Sequence, residues 1–180
     1  MAQTETIYQA PQACWLTKPT VSAMAAQFAG DMDFGPGADI DAVVSKLGGT
    51  VTFQDFWDLE STTDGSIKID APRAFEIFIA AHTAADRNRF TIAHELGHYV
   101  LHYLLPLSDG KPVGKVKARR YGGKDRTEYE ANWFAASFLM PEESFRTIYA
   151  AASGDVFEVA AKFRVSVSAA LVRAKTLGLE

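Results

Sequence analysis

The pentapeptide His94-Glu95-Leu96-Gly97-His98 restricts the fold of this chain more than any other feature. On an α-helix, two histidines four residues apart stack on one face, about one turn apart. In that geometry the two imidazoles can grip one metal ion, and Glu95 is close enough to take a proton from an attacking water. This is the arrangement of a zinc site with a general base. Phe90, Ala93, Leu96, Gly97, Val100, Leu101 and Leu104 recur at helical spacing, so a helix of roughly residues 85 to 104 is expected, with one apolar face. Gly97 weakens a helix relative to Ala. Its position between the histidines points to another backbone packed closely there.

A catalytic zinc takes three protein ligands and leaves one position open. The third ligand must therefore come from a second element. Residues 128 to 140, ending before Pro141, read as a helix with Asp125 or Thr127 as its cap. Two glutamates compete for the role. Glu128 and Asn132 are an i,i+4 pair and share a face, so Glu128 can bind the metal while Asn132 orients a ligand histidine. Glu130 lies roughly opposite Asn132 around the helix and is the alternative. His102 continues the register of His94 and His98, but a straight helix rises about 12 Å over eight residues, so His94 and His102 do not share an ion. His102 is read as a packed or supporting histidine. The Gly turn and longer spacing that would give a third histidine ligand are missing.

These segments resemble the ImmA/IrrE family of zinc metallopeptidases. The likeness rests on residues 87 to 98, ending in His94-Glu95-Leu96-Gly97-His98, together with residues 128 to 141. It extends over residues 38 to 180. It implies a zincin-like fold, His94, His98 and Glu128 as Zn2+ ligands, and Glu95 as general base. It also implies a function: proteolytic inactivation of a helix-turn-helix repressor, with derepression of stress, DNA-damage or phage-defence genes. The branch it most resembles is the CapP-like peptidases of anti-phage operons. The long basic loop between the two motif helices is a departure whose role the resemblance does not define.

The chain has 180 residues, enough for one domain with a sizeable core. A net charge of -4 gives no general argument for nucleic-acid binding. No apolar run reaches membrane-spanning length, and residues 1 to 10 lack a basic start followed by an apolar stretch. Cys14 is the one cysteine, so no internal disulfide forms. A cytoplasmic protein is expected.

The patterning predicts an α+β fold: a small, mostly antiparallel sheet packed on helices. Residues 1 to 37 form an extended arm and a first helix (from about Thr20 to Asp31), and residues 38 to 180 the peptidase-like domain. Residues 39 to 47 read as a short helix ended by Gly48-Gly49. Residues 50 to 56, 66 to 70 and 75 to 81 read as strands, with a turn at Asp64-Gly65. The last strand is a candidate edge that could pair with an extended substrate. Residues 106 to 126 read as a mobile basic loop carrying Lys111, Lys115, Lys117, Arg119, Arg120, Lys124 and Arg126. Such a patch suits an acidic partner or a single-stranded DNA effector. Residues 155 to 178 read as a helix-turn-helix-like pair, too short to hold its own core and therefore packed on the domain.

Cys14 raises a further expectation. A thiolate is a good zinc ligand, so this arm residue could fill the open position and inhibit the site. Donors for the developing oxyanion are sought among Tyr99, Tyr121 and Arg119. Two other functions compete with the peptidase: a non-proteolytic metal-binding regulator that docks a repressor, and a DNA-binding factor using the C-terminal helices.

Overall fold

The computed structural model describes residues 7–54, 66–119 and 125–180. Helices α1 (Lys18–Asp31) and α2 (Ile40–Lys46) precede strands β1 (Gly49–Gln54), β2 (Ser66–Ala71) and β3 (Ala74–Ala80). Helix α3 (Ala85–Tyr99) continues into a π-helical turn (Val100–Leu104) and then α4 (Leu105–Ser108). Strand β4 (Val116–Arg119) and helices α5 (Arg126–Leu139), α6 (Glu142–Ala151), α7 (Val156–Phe163) and α8 (Val167–Thr176) complete the α+β fold.

The sheet has the order β1-β3-β2-β4. β1 runs parallel to β3, whereas β2 is antiparallel to both β3 and β4. The expectation of an edge strand at 75 to 81 is therefore corrected. β3 has neighbours on both sides, and its alternating Phe75, Ile77 and Ile79 are buried. Pairing sets Ile77 opposite Ile67, and Ile67 opposite Ala118, giving one continuous apolar face. The predicted turn at Asp64-Gly65 and the last two residues of the first predicted strand lie outside the described residues.

Two further expectations change. The supposed loop from 106 to 126 contains α4 and β4. Val116 and Ala118 alternate with Lys117 and are 3% and 2% exposed, so β4 has a core side even within a basic stretch. The motif helix is not straight to residue 104, because the π-helical turn interrupts it after Tyr99.

Helix α3 lies over the sheet, with Tyr99 stacked on Phe75 at a ring separation of 4.1 Å. On its other side α3 meets α5. A Cβ added at Gly97 would stand 3.0 Å from Ala131 Cα, so a larger residue would force the helices apart. Helix α1 covers α5 in turn. Phe28 packs on Phe134 and Phe138, and Ser137 donates to or accepts from Ser22 at 2.9 Å. The C-terminal pair buries Val159, Ala160, Phe163, Ala170 and Ala174 in the same core. Asp155 caps α7 by accepting from the amides of Phe157 and Glu158, and Ser166 caps α8 by accepting from Ala169. Among the described residues, no helix is long and apolar enough to cross a membrane.

Candidate metal centre

The close crossing of α3 and α5 brings three donor side chains together. His94 Nε2 and His98 Nε2 lie 3.2 Å apart. The Glu128 carboxylate stands 3.3 Å from the first nitrogen and 3.2 Å from the second. For bonds of about 2.0–2.1 Å, the edge of a tetrahedron around zinc is about 3.3 Å. The two nitrogens have that spacing; His94 meets Oε2 and His98 meets Oε1 of the one carboxylate, so the three side chains are compact enough to surround a single ion. Both histidines are at most 1% exposed, while the Glu128 side chain keeps 16% of its surface in contact with solvent.

The second nitrogen of each imidazole is also engaged. His94 Nδ1 lies 3.0 Å from Asn132 Oδ1, and His98 Nδ1 lies 3.0 Å from His102 Nδ1. Burial pulls the His98 imidazolium down to about 4, with the neighbouring His94 and His102 acting in the same direction. His98 is therefore neutral at pH 7, as a metal ligand must be. Burial acts to raise the Glu128 carboxyl, but hydrogen bonds to His94 and His98 outweigh it and hold the group well below the ordinary carboxylate range. Glu95 is on the same helix and 1% exposed.

Glu130 occupies a different place. Two residues on from Glu128, it is turned by roughly 200° around the helix. Its carboxylate meets His102 Nε2 at 2.9 Å and Arg126 Nε at 2.8 Å. It also accepts the backbone amides of Cys14, at 3.0 Å, and Trp15, at 2.9 Å. Trp15 has φ +58°, a left-handed conformation rare for a bulky residue, which helps two consecutive amides converge on one anion. Arg126 lies 4.8 Å from the Trp133 ring and 5.6 Å from that of Trp15, and donates to the Leu16 carbonyl.

Cys14 therefore does not join His94, His98 and Glu128. It groups with His102 and Glu130. The expectation that it fills the metal's open position is corrected on geometric grounds, because its own amide and that of Trp15 tether the arm to Glu130. Tyr99 is likewise unsuited as an oxyanion donor. It faces the sheet, where its hydroxyl accepts from the Arg73 amide at 3.1 Å. Tyr121 and the side chain of Arg119 lie outside the described residues.

The network around Glu130 was not anticipated from the sequence, although a signal was present. A glutamate facing away from Asn132 on a helix with apolar neighbours needs a cation, and Arg126 is its i−4 neighbour. The basic stretch is also partly neutralised within the chain. Lys115 pairs with Asp70 at 2.9 Å, and Lys111 with Asp109 at 3.7 Å. At the C-terminus, Arg173 is 5% exposed and donates to the Met140 carbonyl, so it does not present its charge to a DNA duplex.

A cleft of about 650 Å³ opens beside Asn132, lined in part by Phe90, Thr91, Trp133, Ala136 and Val172. It is mainly apolar and lies between α3, α5 and α8.

A family model described as the IrrE N-terminal-like domain, of a peptidase family, matches residues 53–175. Among solved structures, a Mycobacterium tuberculosis transcriptional regulator is similar in fold, with a TM-score of 0.58 at 16% identity. The likeness covers 84% of this chain and 45% of that one, so this chain spans about half of the regulator's length. At this identity the likeness speaks for the fold alone. No curated protein sequence matches the chain.

Proposed function

The chain belongs to the family of IrrE N-terminal-like domains, and from that membership we propose that it is a zinc-dependent endopeptidase whose substrate is a helix-turn-helix transcriptional repressor. One observation carries the metal assignment: the 3.2–3.3 Å spacing of His94 Nε2, His98 Nε2 and the Glu128 carboxylate. Two imidazoles and one carboxylate are a zinc donor set, and a magnesium site would draw on oxygen donors instead.

His94 and His98, through Nε2, and Glu128, through its carboxylate, would hold the ion. When bound, zinc supplies Lewis acidity toward the scissile carbonyl and the attacking water. Two neutral imidazoles and a single carboxylate leave a divalent ion with net positive charge, which preserves that acidity. Glu95 takes the proton from the attacking water and returns it to the leaving amine. Its burial raises the strength of every charge interaction in the site. The cleft beside Asn132 receives apolar side chains of the substrate on one side of the scissile bond.

Cleavage of the repressor lifts repression of stress, DNA-damage or phage-defence genes. The family membership supports this reading, and the similarity of fold to a transcriptional regulator is compatible with it. Wild-type protein should purify with one zinc per chain. Glu95→Gln should retain the zinc and lose cleavage of a small helix-turn-helix repressor encoded beside it, assayed with and without DNA. Absence of a stoichiometric metal, or full cleavage by Glu95→Gln, would refute the assignment.

A further inference from the structure

Outside the three metal-facing donors, two more buried side chains form a continuous hydrogen-bonded line with one of them. His98 directs Nε2 to Glu128 and Nδ1 to His102 Nδ1 at 3.0 Å. His102 Nε2 then meets Glu130 Oε2 at 2.9 Å. His98, His102 and Glu130 are each at most 3% exposed.

The proton positions follow from the outer end inward. An ionised carboxylate only accepts, so the hydrogen between His102 and Glu130 belongs to His102 Nε2. A neutral imidazole carries one N–H, which leaves a lone pair on His102 Nδ1. The hydrogen between the two Nδ1 atoms must then sit on His98. His98 is left with a bare Nε2, the form that binds a metal ion. Asn132 Oδ1 has the same effect on His94 by accepting from its Nδ1.

Cys14, His102 and Glu130 are close enough together to suggest a second ion. The bonding of Glu130 argues against it. One oxygen accepts from the Trp15 amide and Arg126 Nε, and the other from the Cys14 amide and His102 Nε2. Four donors use the roughly four lone-pair directions of a carboxylate. The Arg126 guanidinium already supplies the counter-charge. Burial also pushes the Cys14 thiol up, away from the thiolate that a metal would need.

We propose that Glu130 and His102 are positioning residues for the metal centre, with Glu130 keeping a proton on His102 Nε2 and His102 holding His98 in the tautomer that exposes Nε2. The inference rests on reading His94, His98 and Glu128 as the metal site. Outer partners of this kind typically contribute about 10–100-fold to metal affinity.

Two substitutions at position 102 separate the two ends of the line. Asn places an acceptor oxygen near the site of Nδ1 but cannot reach Glu130. Gln places an amide nitrogen near the site of Nε2, keeping the bond to Glu130, but offers His98 no acceptor. Zinc affinity is measured by competition with a chromophoric chelator, and the tautomers by imidazole 15N spectra of the metal-free protein. His102→Asn should bind zinc about as tightly as wild type and keep His98 protonated on Nδ1. His102→Gln should bind about 10–100-fold more weakly and shift His98 toward the Nε2–H form. Equal weakening in both variants, or the reverse order, would overturn the proposal and make His102 a brace for Glu130. The wild-type spectrum tests the idea without any variant, because a His98 protonated on Nε2 also overturns it. Wild-type protein that shows the expected tautomers but takes up no zinc would defeat the metal-centre reading while leaving the proton order standing.

Discussion

At the scale of single residues, the two glutamates of α5 show how far two positions separate environments. Glu128 faces the histidine pair, and Glu130 faces the arm and His102. Asn132 shares the face of Glu128 and fixes His94. Asn132→Ala should therefore weaken zinc binding by about 10–100-fold with the fold intact, measured by chelator competition alongside circular dichroism. His98 makes a pH prediction. Its folded pKa is about 4, below the ordinary imidazole value of 6.5, so as pH falls the unfolded chain takes up this proton first. The contribution is fully present above pH 6.5 and is lost as pH falls toward about 4. Urea midpoints of the metal-free protein should drop steadily across that window. A flat midpoint would contradict a buried neutral imidazole.

At the scale of elements, the grouping of His94, His98 and Glu128 depends on how closely α3 and α5 approach. Gly97→Ala places a methyl group within 3.0–3.2 Å of Ala131 and Phe134. Overpacking of this kind costs about 1–3 kcal/mol. Thermal melts should show the loss, and zinc affinity should fall with it as the donors spread. The crossing was legible in part: helical spacing puts His94 with His98 and Glu128 with Asn132 on shared faces and Gly97 marks the contact, while Glu130 stayed open as the alternative to Glu128. Strand order was not legible. Whether β3 lies inside or at the edge depends on partners distant in sequence, and its alternation reads the same in either place. β4 escaped notice because only Val116 and Ala118 show its core side among lysines and glycines. α6 was missed because Pro141 reads as the stop of α5. A proline lacks the amide that a helix start leaves unused, so the same residue also opens the next helix. The π-helical turn leaves no mark in an apolar period.

At the scale of the whole molecule, the arm joins distant parts of the chain. Tyr8 donates to Asp70 at 2.6 Å, Gln9 pairs with the backbone beside Val116, and Cys14 and Trp15 donate to Glu130. A chain beginning at Leu16 would lose both amide donors to that carboxylate. Hydrogen bonds to a charged group contribute about 1.5–3 kcal/mol each, so a loss of about 3 kcal/mol or more is expected. This corresponds to about 6–12 °C in melting temperature at this chain length, readable by calorimetry. Zinc affinity should weaken in the same variant. The arm's attachment also sets an order of assembly. Cys14 emerges from the ribosome 116 residues ahead of the carboxylate that will hold it. During synthesis Cys14 and Trp15 have no carboxylate to donate to until α5 has been made, so this end of the arm settles after the strands that hold Tyr8 and Gln9. A nascent chain stalled before residue 126 would carry both histidines of the pentapeptide and still lack a finished centre.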